Sequence, residues 1–244
     1  MIDLELNSTT VLRKEGKSFY WASFFLPKNS KKNAGILYSI CRYFDDIADK
    51  NSEDKTSYLK KSINEIRNNQ NNKVNLFLQK NKINNSILID LIEGLILDQT
   101  QIRIQNKEEL IKYSYHVAGT VGLMMSKIIG VKHEKAAQSA IDLGIGMQLT
   151  NIARDVYEDS KMKRIYLPAN WIPNISLKNL NDLHNKSSEN DERISNAIYE
   201  VIALSDKFYE NGFAGLKYIP LSTRLGIFIA ANIYRGIGIK IKSN

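Results

Sequence analysis

Tyr38-Ser39-Ile40-Cys41-Arg42-Tyr43-Phe44-Asp45-Asp46-Ile47-Ala48-Asp49 carries two helical patterns at once. With Ile36 and Leu37 ahead of it, the apolar set Ile36, Leu37, Ile40, Phe44, Ile47 and Ala48 recurs at the steps of a helix with one buried face. Tyr38, Arg42, Asp45, Asp46 and Asp49 fall at relative positions 0, 4, 7, 8 and 11 and so form a second stripe on the same helix. Asp45 and Asp49 then stand about one turn, ~6 Å, apart. Like charges at that spacing repel, so the stripe is not a salt-bridge ladder. The apolar surroundings raise the penalty for leaving these carboxylates unpaired.

A second stretch repeats the arrangement. Gln148, Asn151, Asp155 and Asp159 lie at 0, 3, 7 and 11, with Arg154 and Glu158 beside them. Carboxylates and amide oxygens are the ligands hard Mg²⁺ prefers, usually completed by substrate phosphates. Two such stripes facing each other would hold a cluster of ions closed by a diphosphate, and Arg42 and Arg154 would bind phosphate oxygens bidentately. A solvated surface helix would more often interleave lysines, and none falls between Tyr38 and Asp49 or between Gln148 and Asp159.

Helical period extends outward through most of the chain. Ser8-Thr9-Thr10 offers an N-cap for a first helix ending near Pro27. Further helices are expected over Lys31 to Lys50, Ser52 to Asn69, Asn85 to Arg103, Glu108 to Ile129, His133 to Glu158, Asp191 to Leu216 and Leu221 to Ile241. Asn68-Asn69-Gln70-Asn71-Asn72 reads as a polar break, and Lys161 to Asn190 as a loop carrying one short helix. Ala118, Gly119, Gly122, Ala136, Ala137, Ala140, Gly144 and Gly146 make two of these helices rich in small residues. Glycine inside a helix costs about 1 kcal/mol relative to alanine, so something must approach the backbone there. No repeat and no sharp boundary divides the 244 residues, and one all-α domain over 1–244 is expected.

Composition narrows the function classes. The net charge of +8 comes from scattered lysines rather than a basic run, which argues against nucleic acid. The single cysteine, Cys41, excludes an internal disulfide and fits a reducing cytoplasm. No secretory leader is visible, and the most apolar window, Leu225 to Tyr234, is half the ~20 residues of a membrane span. No zinc-ligand spacing and no Gly-rich strand-to-helix loop is present. His116 reads as a packing or hydrogen-bonding residue; His133 and His184 read as incidental.

Three ordered motifs carry a resemblance. Ser18-Phe19-Tyr20-Trp21-Ala22-Ser23 through Leu26-Pro27, followed by Tyr38 to Asp49, resembles the opening of the squalene/phytoene synthase family. Tyr113-Ser114-Tyr115-His116-Val117-Ala118-Gly119-Thr120-Val121-Gly122 resembles its second signature, in the wording of phytoene synthases. Gln148 to Asp159, then Arg164-Ile165-Tyr166-Leu167-Pro168, resembles the third. The likeness implies an isoprenoid-synthase helical bundle around a central cavity that joins two prenyl diphosphates head to head. It implies that Asp45, Asp49, Asn151, Asp155 and Asp159 hold Mg²⁺ (or Mn²⁺), with Asp46 and Glu158 as less certain ligands. It implies substrate contacts from Ser18, Tyr38, Arg42, Gln148, Arg154 and Tyr234.

The implied reaction makes a cyclopropylcarbinyl diphosphate and rearranges it to a linear hydrocarbon. Phe19, Tyr20, Phe24, Tyr38, Tyr113 and Tyr115 are candidates to face its cations. Phytoene from two geranylgeranyl diphosphates is the leading outcome and needs no NADPH. Dehydrosqualene, squalene or presqualene diphosphate from farnesyl diphosphate is the alternative, and a non-catalytic assembly factor of the same fold a third. Family members usually continue past the last helix with a basic segment that can reach the diphosphate; here either that contact is missing, or Lys240 and Lys242 partly replace it, or the sequence is a shortened one. The apolar product implies peripheral contact with the inner face of a membrane, aided by the positive charge.

Overall fold

The computed structural model describes residues 8–49, 54–70, 72–99, 102–181 and 189–243. Among them there is no strand, only one isolated parallel bridge between Arg103 and Ile165. The chain is all-α.

The expected first helix is two, α1 (Ser8–Glu15) and α2 (Lys17–Ser23), broken at Gly16. A Cβ at Gly16 would come within 2.9 Å of the Tyr38 ring, so the corner between them rests on α3. The side chains of Ser8 and Thr9 lie outside the described residues. The aspartate-bearing helix α3 runs Lys28–Asp49, starting three residues before the expected Lys31. Then come α4 (Lys55–Arg67) and α5 (Lys73–Lys80). Lys50 and Ser52, the expected ends on either side of this junction, are outside the described residues.

Helix α5 was not expected. The Asn-rich stretch read as a break contains its N-cap, since Asn72 accepts a hydrogen bond from the Asn75 amide. Helix α6 (Asn85–Leu97) stops short of the expected Arg103. The expected Glu108 to Ile129 helix is α7 (Lys107–Ser114), one π turn over Tyr115–Gly119, and α8 (Thr120–Ile128). Helix α9 (Lys135–Arg154) is separated from α10 (Val156–Lys161) by Asp155, at φ −103° and ψ 18°. The second aspartate stripe is therefore bent rather than straight. A short α11 (Leu177–Asn181) falls in the expected loop; His184, expected there too, lies outside the described residues. Long helices α12 (Glu189–Ala214) and α13 (Leu221–Lys242) close the bundle.

Two apolar clusters hold these helices. One gathers Leu37, Ile40, Phe44, Leu59, Leu78, Leu88, Ile92 and Met124 from α3, α4, α5, α6 and α8. The other gathers Leu110, Leu149, Ile152, Leu167, Val201 and Ile202 from α7, α9, α12 and the segment after α10. Val117, in the π turn, packs against both. Each large side chain buried this way contributes about 1.5–3 kcal/mol.

Between the clusters, α9 crosses the π turn and α8 with backbone against backbone. A Cβ at Gly122 would fall 2.1 Å from the Ala140 carbonyl oxygen, and one at Gly144 2.3 Å from that of Ala118. Helix packing therefore accounts for Gly122 and Gly144, while Ala118, Ala136 and Ala140 also line the central cavity.

Candidate active site

A cavity of about 410 Å³ opens at the centre of the bundle, and its wall is mostly apolar. Its charged and amide side chains are Arg42, Asp45, Asp98, Gln148 and Asn151. All five lie at or near the C-terminal ends of α3, α6 and α9. The other end is apolar, bounded by Val131, Ala136, Leu216 and Ile219. Helix C-termini present partial negative charge, so this polar end favours cations even before its carboxylates are considered.

The carboxylates reinforce that preference. Burial, then the neighbouring Asp49 charge, pushes Asp45 up to about 6. Burial, then Asp155, pushes Asp159 up to about 7. Cations offset this in part. Arg42 Nη1 donates to Asp45 Oδ2 at 2.9 Å, and its Nε lies 2.8 Å from Asp46 Oδ1. Arg164 Nη2 donates to Asp49 Oδ1 at 2.8 Å, and Arg154 clasps Asp155 through two 2.6 Å bonds. The stripes thus carry ion pairs that spacing alone argued against. Arg42 and Arg154, expected on phosphate, are held by the aspartates of their own stripes.

Tyr38, Arg42, Asp45, Gln148, Asn151 and Tyr234 share the cavity wall, whereas Asp49, Arg154, Asp155 and Asp159 are not part of it. Phe19 stacks on Tyr234 at 5.1 Å and lies 6.3 Å from Tyr38, an aromatic wall built by α2, α3 and α13. Tyr113 also lines the cavity. Tyr20, Phe24 and Tyr115 do not; Phe24 is exposed, and Tyr115 donates to Asp90 at 3.3 Å instead. Ser18 is likewise absent from the wall. His116 packs on α6, its ring nitrogen 3.1 Å from the Asp90 carbonyl and its Cβ against Gly94, and His133 stacks on Tyr218.

Three residues here had no role assigned from sequence: Asp98, Arg164 and Tyr166. The Tyr113 hydroxyl donates to Asp98 Oδ2 at 2.8 Å and that of Tyr166 to Oδ1 at 3.1 Å, with the two rings stacked at 4.8 Å. The turn after α10 delivers Arg164 and Tyr166. Lys163 takes a left-handed φ of 62°, and Ile165 exchanges backbone bonds with Ile102 and Ile104. Arg164 feels Asp49 and Asp98, and both Asp45 and Asp159 feel Arg164, so this guanidinium lies between the stripes.

Burial pushes Asp98 up to about 6 against the pull of its two phenol donors. A raised acid favours folding only while protonated. Its contribution is present below about pH 4 and is lost as pH rises to about 6. Asp98→Asn is therefore expected to flatten the fall in unfolding free energy across that window, by about 2–3 kcal/mol, in urea titrations at several pH values.

Among the described residues no three His, Cys, Asp or Glu side chains converge closely enough to enclose an ion by themselves. The donor chemistry nonetheless fits Mg²⁺. Asn151 Oδ1 is buried without a hydrogen-bond partner, and the raised carboxylates lack sufficient positive charge. Mg²⁺ characteristically takes only a few protein oxygens and leaves the rest to water and phosphate.

An all-helical bundle around an apolar cavity, with motif residues of α3 and α9 at its polar end, has the architecture of an isoprenoid synthase. The chain belongs to the squalene/phytoene synthase family, whose model matches residues 12–244. It is 31% identical to the 15-cis-phytoene synthase of Enterobacter agglomerans, over 92% of this chain and 81% of that protein. It is 32% identical to the phytoene synthase of Thermus thermophilus, over 95% and 81% respectively. Among solved structures it resembles a dehydrosqualene synthase with bound ligand, at 26% identity and TM-score 0.83, over 95% of this chain and 83% of that one. The fold is also that of squalene synthase HpnC from Alicyclobacillus acidocaldarius, at 17% identity and TM-score 0.84, over 99% and 93%.

Proposed function

We propose that this chain is a Mg²⁺-dependent phytoene synthase working on a single domain. It condenses two geranylgeranyl diphosphates head to head, through a cyclopropylcarbinyl diphosphate, to phytoene and free diphosphate. The observation that carries this reading is an apolar cavity whose one charged end is built from the family's aspartate motifs, in a chain about 30% identical to several bacterial phytoene synthases.

Asp45, Asp49, Asn151, Asp155 and Asp159 would hold the metal, with Mn²⁺ as a substitute. Mg²⁺ bound there supplies positive charge to the departing diphosphate. Arg42 and Arg154 exchange their aspartate partners for phosphate oxygens as substrate enters, which their bidentate guanidinium geometry allows. Tyr38, Gln148 and Tyr234 position the diphosphate-bearing end. The apolar wall excludes water from the allylic cation, so the second substrate's double bond captures it instead. The aromatic faces of Phe19, Tyr38, Tyr113 and Tyr234 then flank the cationic intermediates. Proton loss, not hydride addition, ends the sequence, so NADPH is not expected as a cofactor.

The solved dehydrosqualene synthase favours a second reading in which two farnesyl diphosphates react. One experiment separates them. Incubation with geranylgeranyl or farnesyl diphosphate, Mg²⁺ and no NADPH is expected to give phytoene from the longer substrate, identified by mass, and nothing after chelation by EDTA. A C30 product alone would establish the second reading. No hydrocarbon and no released diphosphate from either substrate would leave a non-catalytic family member.

A further inference from the structure

The helices that wall the cavity turn an unusual face outward. On α2 and the turn after it, Trp21, Phe24 and Phe25 recur at helical steps and are 64%, 53% and 48% exposed. On α13, Leu221, Leu225 and Phe228 form a second stripe, at 80%, 51% and 46%. The stripes adjoin, because Gly226 lies between the α13 residues and a Cβ there would touch Leu26 at 2.8 Å and the Ala22 carbonyl at 3.2 Å. Tyr20, Trp21 and Phe24 contact one another edge-on or tilted, leaving a continuous aromatic surface. Contiguous apolar exposure of this size marks an interaction surface.

Charge identifies its partner. No Asp or Glu occurs from residue 17 to 44 or from 211 to the end of the chain, while Lys17, Lys28, Lys31, Lys32, Lys217 and Arg224 fall in those segments. Lys31 Nζ rests 3.7 Å over the Phe24 ring, within the patch itself. Aromatic and aliphatic side chains with Lys31 among them, on segments that carry cations and no acids, suit the boundary between acyl chains and anionic headgroups. The reverse faces of the same elements, through Ala22, Ser23, Leu26, Ile227 and Ala230, line the cavity. Only one layer of helix separates the outer patch from the place where an apolar chain would lie.

We propose that the α2–α13 face docks on an anionic lipid leaflet, with Trp21, Phe24, Phe25, Leu225 and Phe228 entering the acyl boundary and the flanking lysines on lipid phosphates. Docking in this orientation sets the cavity wall against the bilayer that must receive a hydrocarbon product. That last consequence rests on the synthase reading; the docking does not.

The test uses the full chain without prenyl diphosphate, co-sedimented with vesicles of equal parts phosphatidylglycerol and phosphatidylcholine, or of phosphatidylcholine alone. Binding is expected to the mixed vesicles, to weaken as salt rises, and to fall by about tenfold or more in Trp21→Ser/Phe24→Ser/Leu225→Ser and in Lys28→Glu/Lys31→Glu. None of these residues lines the cavity, so turnover of detergent-dispersed substrate is expected to persist in both variants. Brominated lipid is expected to quench the intrinsic fluorescence, and Trp21→Phe to remove that quenching while leaving binding intact. Equal binding to both vesicle types, undiminished binding by the variants, or quenching independent of Trp21 would overturn the proposal. So would a dimer in sedimentation velocity that the triple variant disperses, since the face would then belong to a second copy.

Discussion

Alanine at Asp159 or at Asp45 is expected to lower product formation by about 10³-fold, several kcal/mol of lost charge stabilisation, with little loss of stability. Both carboxyls lie where burial and a neighbouring aspartate resist ionisation, at about 7 and about 6. A group in that state is stabilised by a cation, and a cation binding there must displace its proton. Proton occupancy rises as pH falls through about 7 and then about 6, so apparent Mg²⁺ affinity falls in the same order. Activity at limiting Mg²⁺ should decline below about pH 7 and recover when more Mg²⁺ is added. Calorimetry in buffers of different ionisation enthalpy should show protons released on Mg²⁺ binding near pH 6.5, and fewer in Asp159→Asn. Unchanged turnover in both alanine variants would overturn the metal assignment even if the activity were real.

The aspartate stripes are legible in the sequence, and Asp98 and Arg164 between them are not, for a physical reason. Asp45 and Asn151 belong to stripes whose three- and four-residue steps are written along one helix. Asp98 follows an apolar run as a lone acid, and the phenols that clasp it come 15 and 68 residues later. Arg164 reaches Asp49 across 115 residues. Helical periodicity is silent about such pairings, which depend on the left-handed turn at Lys163 and the bridge at Ile165. The family motif contains Arg164 and Tyr166, and that was the available signal. For Asp98 no local signal exists.

The helices were read most reliably where a long apolar face repeats. Helix α13 begins at the expected residue and α12 within two of it. Structure departs from the periodic pattern where hydrogen bonding changes without a change in composition. The π turn at Tyr115–Gly119 inserts one residue into an otherwise continuous apolar pattern, and the bend at Asp155 keeps its flanking backbone bonds at 2.8 Å. Helix α5 was missed for the opposite reason. Asparagine marks both loops and N-caps, and Asn72 does the second.

Gly144→Ala is expected to destabilise the protein by about 2 kcal/mol or more, although alanine is the better helix former. The added methyl would point at the Ala118 carbonyl oxygen from 2.3 Å and at the Gly119 Cα from 3.1 Å, and backbone cannot rotate aside as a side chain can. The π turn, and α8 with it, would have to move away from α9, loosening contacts in both apolar clusters, which meet at Val117. Gly236→Ala is the internal comparison. It too lies inside a helix, but a Cβ there meets nothing within 4 Å, so only the helix propensity remains and stability should rise by up to about 1 kcal/mol. Urea denaturation of the two variants should thus move in opposite directions from the same chemical change. Gly122→Ala, whose methyl would meet the Ala140 carbonyl oxygen at 2.1 Å on the same crossing, should resemble Gly144→Ala. Because one movement of the π turn and α8 away from α9 relieves both clashes, the double variant should lose less than the sum of the two single losses. Simple additivity would mean that the two glycines are accommodated independently and that the crossing is not a single rigid contact.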